Sequence, residues 1–233
     1  MEAPAPKADG RAWYGKHPSQ FVDFWMARTT PSPLAINIHG GFWRARFDLT
    51  HAGHLCAALV TAGFAVINIE YRRVGQEGGG WPGTVEDVRR AVAYARERAP
   101  FCGGRAGDTI VLGHSAGGHL ALCIAAETQD LRGVFALAPV SDPRRAWQLN
   151  LGNGAATEFF GGTPDEFPDR YTMHPPVCPT VLIHGTADDV VPVELSRGFT
   201  GARLVELPGA DHFDVIDPQS GPFAEVLSQL LPR

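Results

Sequence analysis

No stretch of the chain approaches the roughly 20 consecutive apolar residues that a helix needs to span a bilayer. No membrane partner is therefore expected. No Lys/Arg-rich run is present, and 20 basic side chains against 25 acidic ones leave a formal net charge of −5. That balance argues against nucleic acid as a partner. The four cysteines, Cys56, Cys102, Cys123 and Cys178, form no CxxC pair, which argues against a zinc or thioredoxin-like motif. The nine histidines include no HExxH. His51 and His54 would share a helix face but lack a third ligand, so no metal is expected. Met1 to Gly10 is rich in Ala and Pro and lacks the apolar centre of a signal peptide. A cytoplasmic location is the expectation. No internal repeat or low-complexity tract breaks the chain.

What is present is an ordinary globular balance, 44 % apolar and 19 % charged over 233 residues. That length suits one domain, 1–233, with a sizeable core. Strand-like and helix-like segments alternate. Apolar runs at 34–39, 65–71, 109–113, 134–138, 180–184 and 203–207 read as strands. They are apolar on both faces, as strands of a parallel sheet covered by helices must be. Helical segments follow at 51–62, 84–96, from Ala116, and at 222–231. Thr84 and Asp87 resemble a capping box at the second of these. The fold class is α/β, a doubly wound, mostly parallel sheet. The contribution of Trp13 to Pro33 is left open. Residues 141–179 break the rhythm, with short helices expected at 144–149 and 155–160. They read as a short cap-like insertion over the active face.

Gly113-His114-Ser115-Ala116-Gly117 matches GxSxG between a strand and a helix. That context makes Ser115 the candidate nucleophile. The turn is tight, and Gly113 and Gly117 remove side chains that would collide. A Ser hydroxyl needs a base. In this arrangement an Asp or Glu follows the Ser and a His follows that. His174 lies in the insertion and His184 ends an apolar strand. His212, in a polar loop before the last helix, is the better base. The acid that orients it is sought in the loop after the fifth strand. Asp188 is favoured over Asp189, with Asp142 behind both. Asp211 adjoins His212 and should point elsewhere.

These residues carry a resemblance. From about residue 30 onward the chain resembles the α/β-hydrolase superfamily. His39-Gly-Gly-Phe-Trp43 is similar to the HGG signature of hormone-sensitive-lipase-like esterases and kynurenine formamidases. The segment 113–121 resembles the nucleophile region of the same group. His184-Gly-Thr-Ala-Asp188 through Pro192 matches that group's HGxxDxxVP, with Asp188 at the D position. Gly209 to Phe213 looks like its His loop. The resemblance implies an α/β-hydrolase fold and an oxyanion hole from the backbone N–H groups of Gly41, Phe42 and Ala116. It places His39 behind that loop as a structural group. Phe42 departs from the pattern by replacing a third Gly, though its amide remains.

The expected function is therefore hydrolysis of a carboxylic ester, or a related acyl bond, of a small-molecule acyl substrate. It would run through a Ser115-His212-Asp188 triad with no cofactor. The alternatives are an arylformamidase, a small acyl-peptide hydrolase, or a non-catalytic binding protein on the same fold. Trp43, Trp81, Trp147 and Phe159 (with Phe160) are candidate aromatic walls of a substrate pocket. A dimer is compatible with the sequence, but nothing in it marks one.

Overall fold

The computed structural model describes residues 4–231; the expected domain limits 1 and 233 lie outside them. Eight strands form one sheet: β1 (Gly10–Trp13), β2 (Phe21–Trp25), β3 (Ser32–Ile38), β4 (Ala65–Ile69), β5 (Gly104–His114), β6 (Gly133–Leu137), β7 (Thr180–Gly185) and β8 (Arg203–Leu207). Their spatial order is β1-β2-β4-β3-β5-β6-β7-β8. β1 pairs β2, and β2 pairs β4, antiparallel; all other pairs are parallel. The stretch from Trp13 to Pro33, left open by the sequence, thus supplies the end of β1, all of β2 and the start of β3. Every strand anticipated from apolar runs is present. β5 starts earlier than expected, at Gly104.

Among the described residues seven α-helices surround the sheet: α1 (Gly53–Thr61), α2 (Gly83–Arg98), α3 (Ala116–Ala125), α4 (Pro143–Gln148), α5 (Ala155–Phe160), α6 (Glu194–Arg197) and α7 (Phe223–Leu230). The period of 2 divides each central strand between the faces. Leu34, Ile36 and Ile38 join one core with α2 and α3; Ala35 joins the other with α1 and α7. β4 repeats the pattern, with Ile67 on the first face and Val66 on the second. Burial on both faces explains why these strands are apolar throughout.

The capping box expected at α2 is not formed. Its N-cap is Pro82, and Thr84 already lies inside the helix. The Thr84 hydroxyl donates to the Arg72 carbonyl instead. Asp87 accepts from Gln20 Nε2 at 2.7 Å and from the Arg72 guanidinium at 2.7 and 2.8 Å. A pair between part-buried Arg72 and buried Asp87 outcompetes the local cap because it ties α2 to the loop after β4. All four cysteines are free thiols. Among the described residues no helix is long and apolar enough to cross a membrane.

Candidate active site

Parallel strands deliver their loops to one edge of the sheet, and the loops after β3, β5, β7 and β8 meet there. Ser115 sits between β5 and α3 with φ 56° and ψ −118°. A Cβ at Gly113 would meet the Gly117 carbonyl at 2.1 Å, and one at Gly117 would meet the Ile38 carbonyl at 2.2 Å. Any side chain at either position would prevent the turn from closing. The Ser115 amide donates to the Leu137 carbonyl at 2.8 Å, which locks the turn to β6. Ala116 begins α3, so its amide belongs to the positive end of that helix.

His212 lies in the loop after β8, and its Nδ1–H donates to Asp188 Oδ2 at 2.7 Å. Both side chains are buried. Asp188 Oδ1 accepts the amides of Val190 at 2.9 Å and Val191 at 2.7 Å. His184, at the end of β7, donates Nε2–H to the Val191 carbonyl at 2.8 Å and to Asp188 Oδ2 at 3.1 Å. Its Nδ1 accepts from the Ser196 hydroxyl at 2.7 Å. Burial alone would raise the Asp188 pKa. The hydrogen bonds from His184, His212 and Val191 outweigh that and hold the carboxyl well below the usual carboxylate range. A carboxylate so placed fixes the His212 tautomer and leaves Nε2 as the basic nitrogen.

The loop after β3 is unusual in its backbone. Gly41, Phe42 and Trp43 all have positive φ, at 110°, 50° and 57°. A Cβ at Gly41 would lie 2.4 Å from Phe47 Cβ, so only glycine fits. The Gly41 carbonyl accepts from Arg44, while the Gly41 and Phe42 amides donate to no other described residue. The loop rests on a buried polar stack. His39 Nδ1 donates to the Gly40 carbonyl at 2.7 Å, its Nε2 meets Glu70 Oε1 at 3.0 Å, and its ring stacks on Tyr71. The Tyr71 hydroxyl donates to the His39 carbonyl at 2.7 Å. Burial would raise the Glu70 pKa, but His39, Arg73 and the Tyr71 amide lower it below its ordinary value.

Ser115, His212, Gly41 and Phe42 all line one open cleft of about 1270 Å³. From Ser115 it extends between α1, which contributes Ala57 and Ala58 with Ala62 just after it, and α7, which contributes Phe223 and Leu227.

The BD-FAE family model matches residues 23–139, half of the chain. The chain belongs to the BD-FAE family. The matched stretch carries the Gly40-Gly41 loop and Ser115 and stops before Asp188 and His212. Among curated proteins this BD-FAE member is 28 % identical to esterase LipC of Mycobacterium tuberculosis over 95 % of its own length. It spans 64 % of LipC, less than two thirds of that protein. Among solved structures it resembles a truncated carbohydrate esterase from gut microbiota, with a TM-score of 0.77 at 23 % identity, covering 98 % of this chain and 96 % of that one. Esterase B from Lactobacillus rhamnosis gives a TM-score of 0.77 at 20 % identity, covering 97 % and 85 %. At these identities the structural likeness establishes the α/β-hydrolase fold.

The BD-FAE chain thus brings Ser115, His212, Asp188, Gly41, Phe42 and Ala116 to one edge of the sheet. The other carboxylates go elsewhere. Asp189 is exposed, Asp142 caps α4 by accepting the Arg145 amide at 2.8 Å, and Asp211 accepts the amides of Phe213 and Asp214 in its own loop. The expected aromatic walls need correction. Trp43 and Phe159 are each 1 % exposed and stack with ring centroids 4.6 Å apart. Trp81 and Trp147 pack against the same core. None of the four lines the cleft beside Ser115, nor does any residue of the insertion 141–179. Burial of Ala155, Ala156, Phe159 and Phe160 holds the insertion onto the α2/α3 side instead.

Two residues escaped sequence reasoning. His184 braces Asp188. His114 donates Nε2–H to the His212 carbonyl at 2.9 Å and packs on its ring. Burial, and then the nearby His212, push the His114 pKa well below the usual imidazole value, which keeps the ring neutral. Its place inside GxSxG is the only signal, and that pattern leaves the position free. Among the described residues no three His, Cys, Asp or Glu side chains gather as a metal site would require.

Proposed function

We propose that this protein is a serine hydrolase of the carboxylesterase type, cleaving an ester of a small-molecule substrate. The observation that carries the reading is the 2.7 Å His212–Asp188 bond at the same cleft as a Ser held at φ 56° on a strand-to-helix turn. The continuous sheet supports taking residues 1–233 as one α/β-hydrolase domain.

In the proposed mechanism, His212 Nε2 takes the Ser115 proton as Oγ attacks the ester carbonyl carbon. The Gly41, Phe42 and Ala116 amides receive the negative charge that forms on the carbonyl oxygen. Donors fixed in advance need no reorganisation as that charge develops, and removing one typically costs about 10²–10³ in rate. The imidazolium of His212, stabilised by Asp188, returns its proton to the departing alcohol oxygen. Water, deprotonated by His212, then attacks the acyl-Ser115 carbonyl and releases the acid. The esterase name of LipC supports the same reaction class. A formamidase would be favoured by both aromatics of the His39–Trp43 segment at the cleft. Trp43 is buried away from the cleft, so nothing favours that reading over an ester.

The test is Ser115→Ala, assayed on p-nitrophenyl acetate, together with a fluorophosphonate probe on the wild type. Labelling of Ser115 and loss of turnover in the variant are expected. Unchanged turnover in the pure variant would falsify the assignment.

A further inference from the structure

The cleft extends well beyond what the reacting atoms need. It holds about 1270 Å³, above the roughly 300–1,000 Å³ of typical small-molecule pockets. From Ser115 it leads along α1 past Ala58 and Ala62, with Ile216, Phe223 and Leu227 opposite. Small side chains on one wall and large apolar ones on the other leave a trough. The cleft also holds Phe47 and Phe213, 38 % and 58 % exposed, among the few large apolar side chains left in contact with water. An exposed apolar patch continuous with a reactive group marks a binding surface.

Charge narrows the class of occupant. No Lys or Arg lines the cleft, so nothing there pairs with an anionic group. Its one carboxylate, Asp217, would repel an anion. A sugar would need several polar partners along the trough. His51 and His54 line its start along α1 and the turn before it; past them, and apart from His114 and His212 beside Ser115, the lining offers only Thr61, Asp217 and Gln219 as polar side chains. On the other side of Ser115, Phe42 rests against the Gly152 turn, where an added Cβ would lie 2.6 Å from its ring. The insertion therefore leaves no comparable space there.

We propose that the trough between α1 and α7 binds a long, uncharged hydrocarbon chain of the substrate ester. The inference rests on the serine-esterase reading of Ser115. α1 and Ala62, which caps it, border the trough from His54 to Ala62, a run of about 12 Å at 1.5 Å per residue. An extended chain advances about 1.3 Å per bond, judged from the 3.8 Å across the three bonds between consecutive Cα atoms. The trough therefore accommodates about nine to ten carbons. The same trough would take the chain from either side of the ester bond, acyl or alkoxy.

The test measures kcat/KM in two series below micellar concentrations: p-nitrophenyl esters from acetate to decanoate, and alkyl acetates from ethyl to decyl. Full burial of a methylene is worth about four-fold, and about two-fold is expected in an open trough. The expected rise is therefore on the order of 50-fold over six added methylenes in one series, and the series that rises identifies the side. Ala58→Trp and Leu227→Trp obstruct the trough from opposite walls. Each is expected to lower the ratio of octanoyl or octyl to two-carbon substrate at least about ten-fold. Thermal melts identify a variant that fails to fold, and the other then carries the test. A profile that is flat or falls with length in both series overturns the proposal, as does an unchanged ratio in a folded variant. A flat profile with Ser115 labelled by fluorophosphonate removes the trough assignment alone. Failure of Ser115 to label removes the esterase reading beneath it.

Discussion

The two faces of the sheet have been filled in opposite ways. On the face of α2 and α3, the insertion lays Phe159 and Phe160 over Trp43 and His119; Phe159 stacks on Trp43, and His119 meets all three rings edge to face with almost no exposure. On the face of α1 and α7, the helices seal the core below but leave a trough above it, open to water. The aromatic-rich region is thus the closed one, and the alanine-rich helix borders the open one. Large side chains fill space where neighbours reach them; small ones make space where neighbours do not. The contrast predicts that changes at the cleft alter turnover and that changes on the packed face alter stability.

The largest effect is expected at the rim of the open face. Asp188→Asn should lower kcat on p-nitrophenyl acetate by on the order of 10⁴, because the His212 tautomer and its imidazolium lose their support. Steady-state kinetics on the purified variant checks this, and a loss below ten-fold would break the contrast at its strongest point. Next is Phe159→Ala on the packed face, which should cost about 3–5 kcal/mol in denaturant unfolding. Its folded fraction should keep kcat/KM within about three-fold, since Phe159 does not border the cleft.

His119 gives a smaller effect that depends on pH. Burial lowers its pKa to about 3 from 6.5. Below pH 6.5 the unfolded state binds a proton there that the native state refuses until about pH 3. Stability should therefore fall by about 1.4 kcal/mol per pH unit from this group alone as pH drops through that window. His119→Phe should remove that slope, as read from urea midpoints between pH 7 and 4. The smallest effect is expected for Leu227→Ala in the trough wall. It is half-buried, and its truncation should cost only about 1 kcal/mol in the same unfolding measurement.

Much of this was legible in the residues. The strands β3 to β7 declare themselves because parallel strands buried on both faces must be continuously apolar, and β8, though at the sheet edge, is apolar enough to follow them. β1 and β2 were obscure because β1, Gly-Arg-Ala-Trp, alternates partly buried and exposed positions at a sheet edge and is only four residues long. Ser115, His212 and Asp188 were legible because tight turns and chain order constrain them locally. His184 was not, because at the end of an apolar strand it reads as a structural residue although Asp188 is only four residues on; His114 was not, because it acts on a residue that the sheet brings to it. His114 meets a loop 98 residues away. Trp43 misled because an aromatic beside a glycine turn serves a pocket or a core equally well. The choice depends on where residues 155–160 pack, a long-range matter. The trough has no signature at all, since its walls come from helices at opposite ends of the chain.

Ser115 carries one more consequence. A non-glycine residue at φ 56° stores on the order of 1–3 kcal/mol of backbone strain. The proposed nucleophile is therefore a thermodynamic liability, tolerated by the surrounding fold and not required by it. Replacing Ser115 by Gly should relieve most of that strain, offset in part by the greater freedom of the unfolded chain. The variant should unfold with a net gain of about 1 kcal/mol while turnover disappears. In this molecule reactivity and repose compete at a single residue.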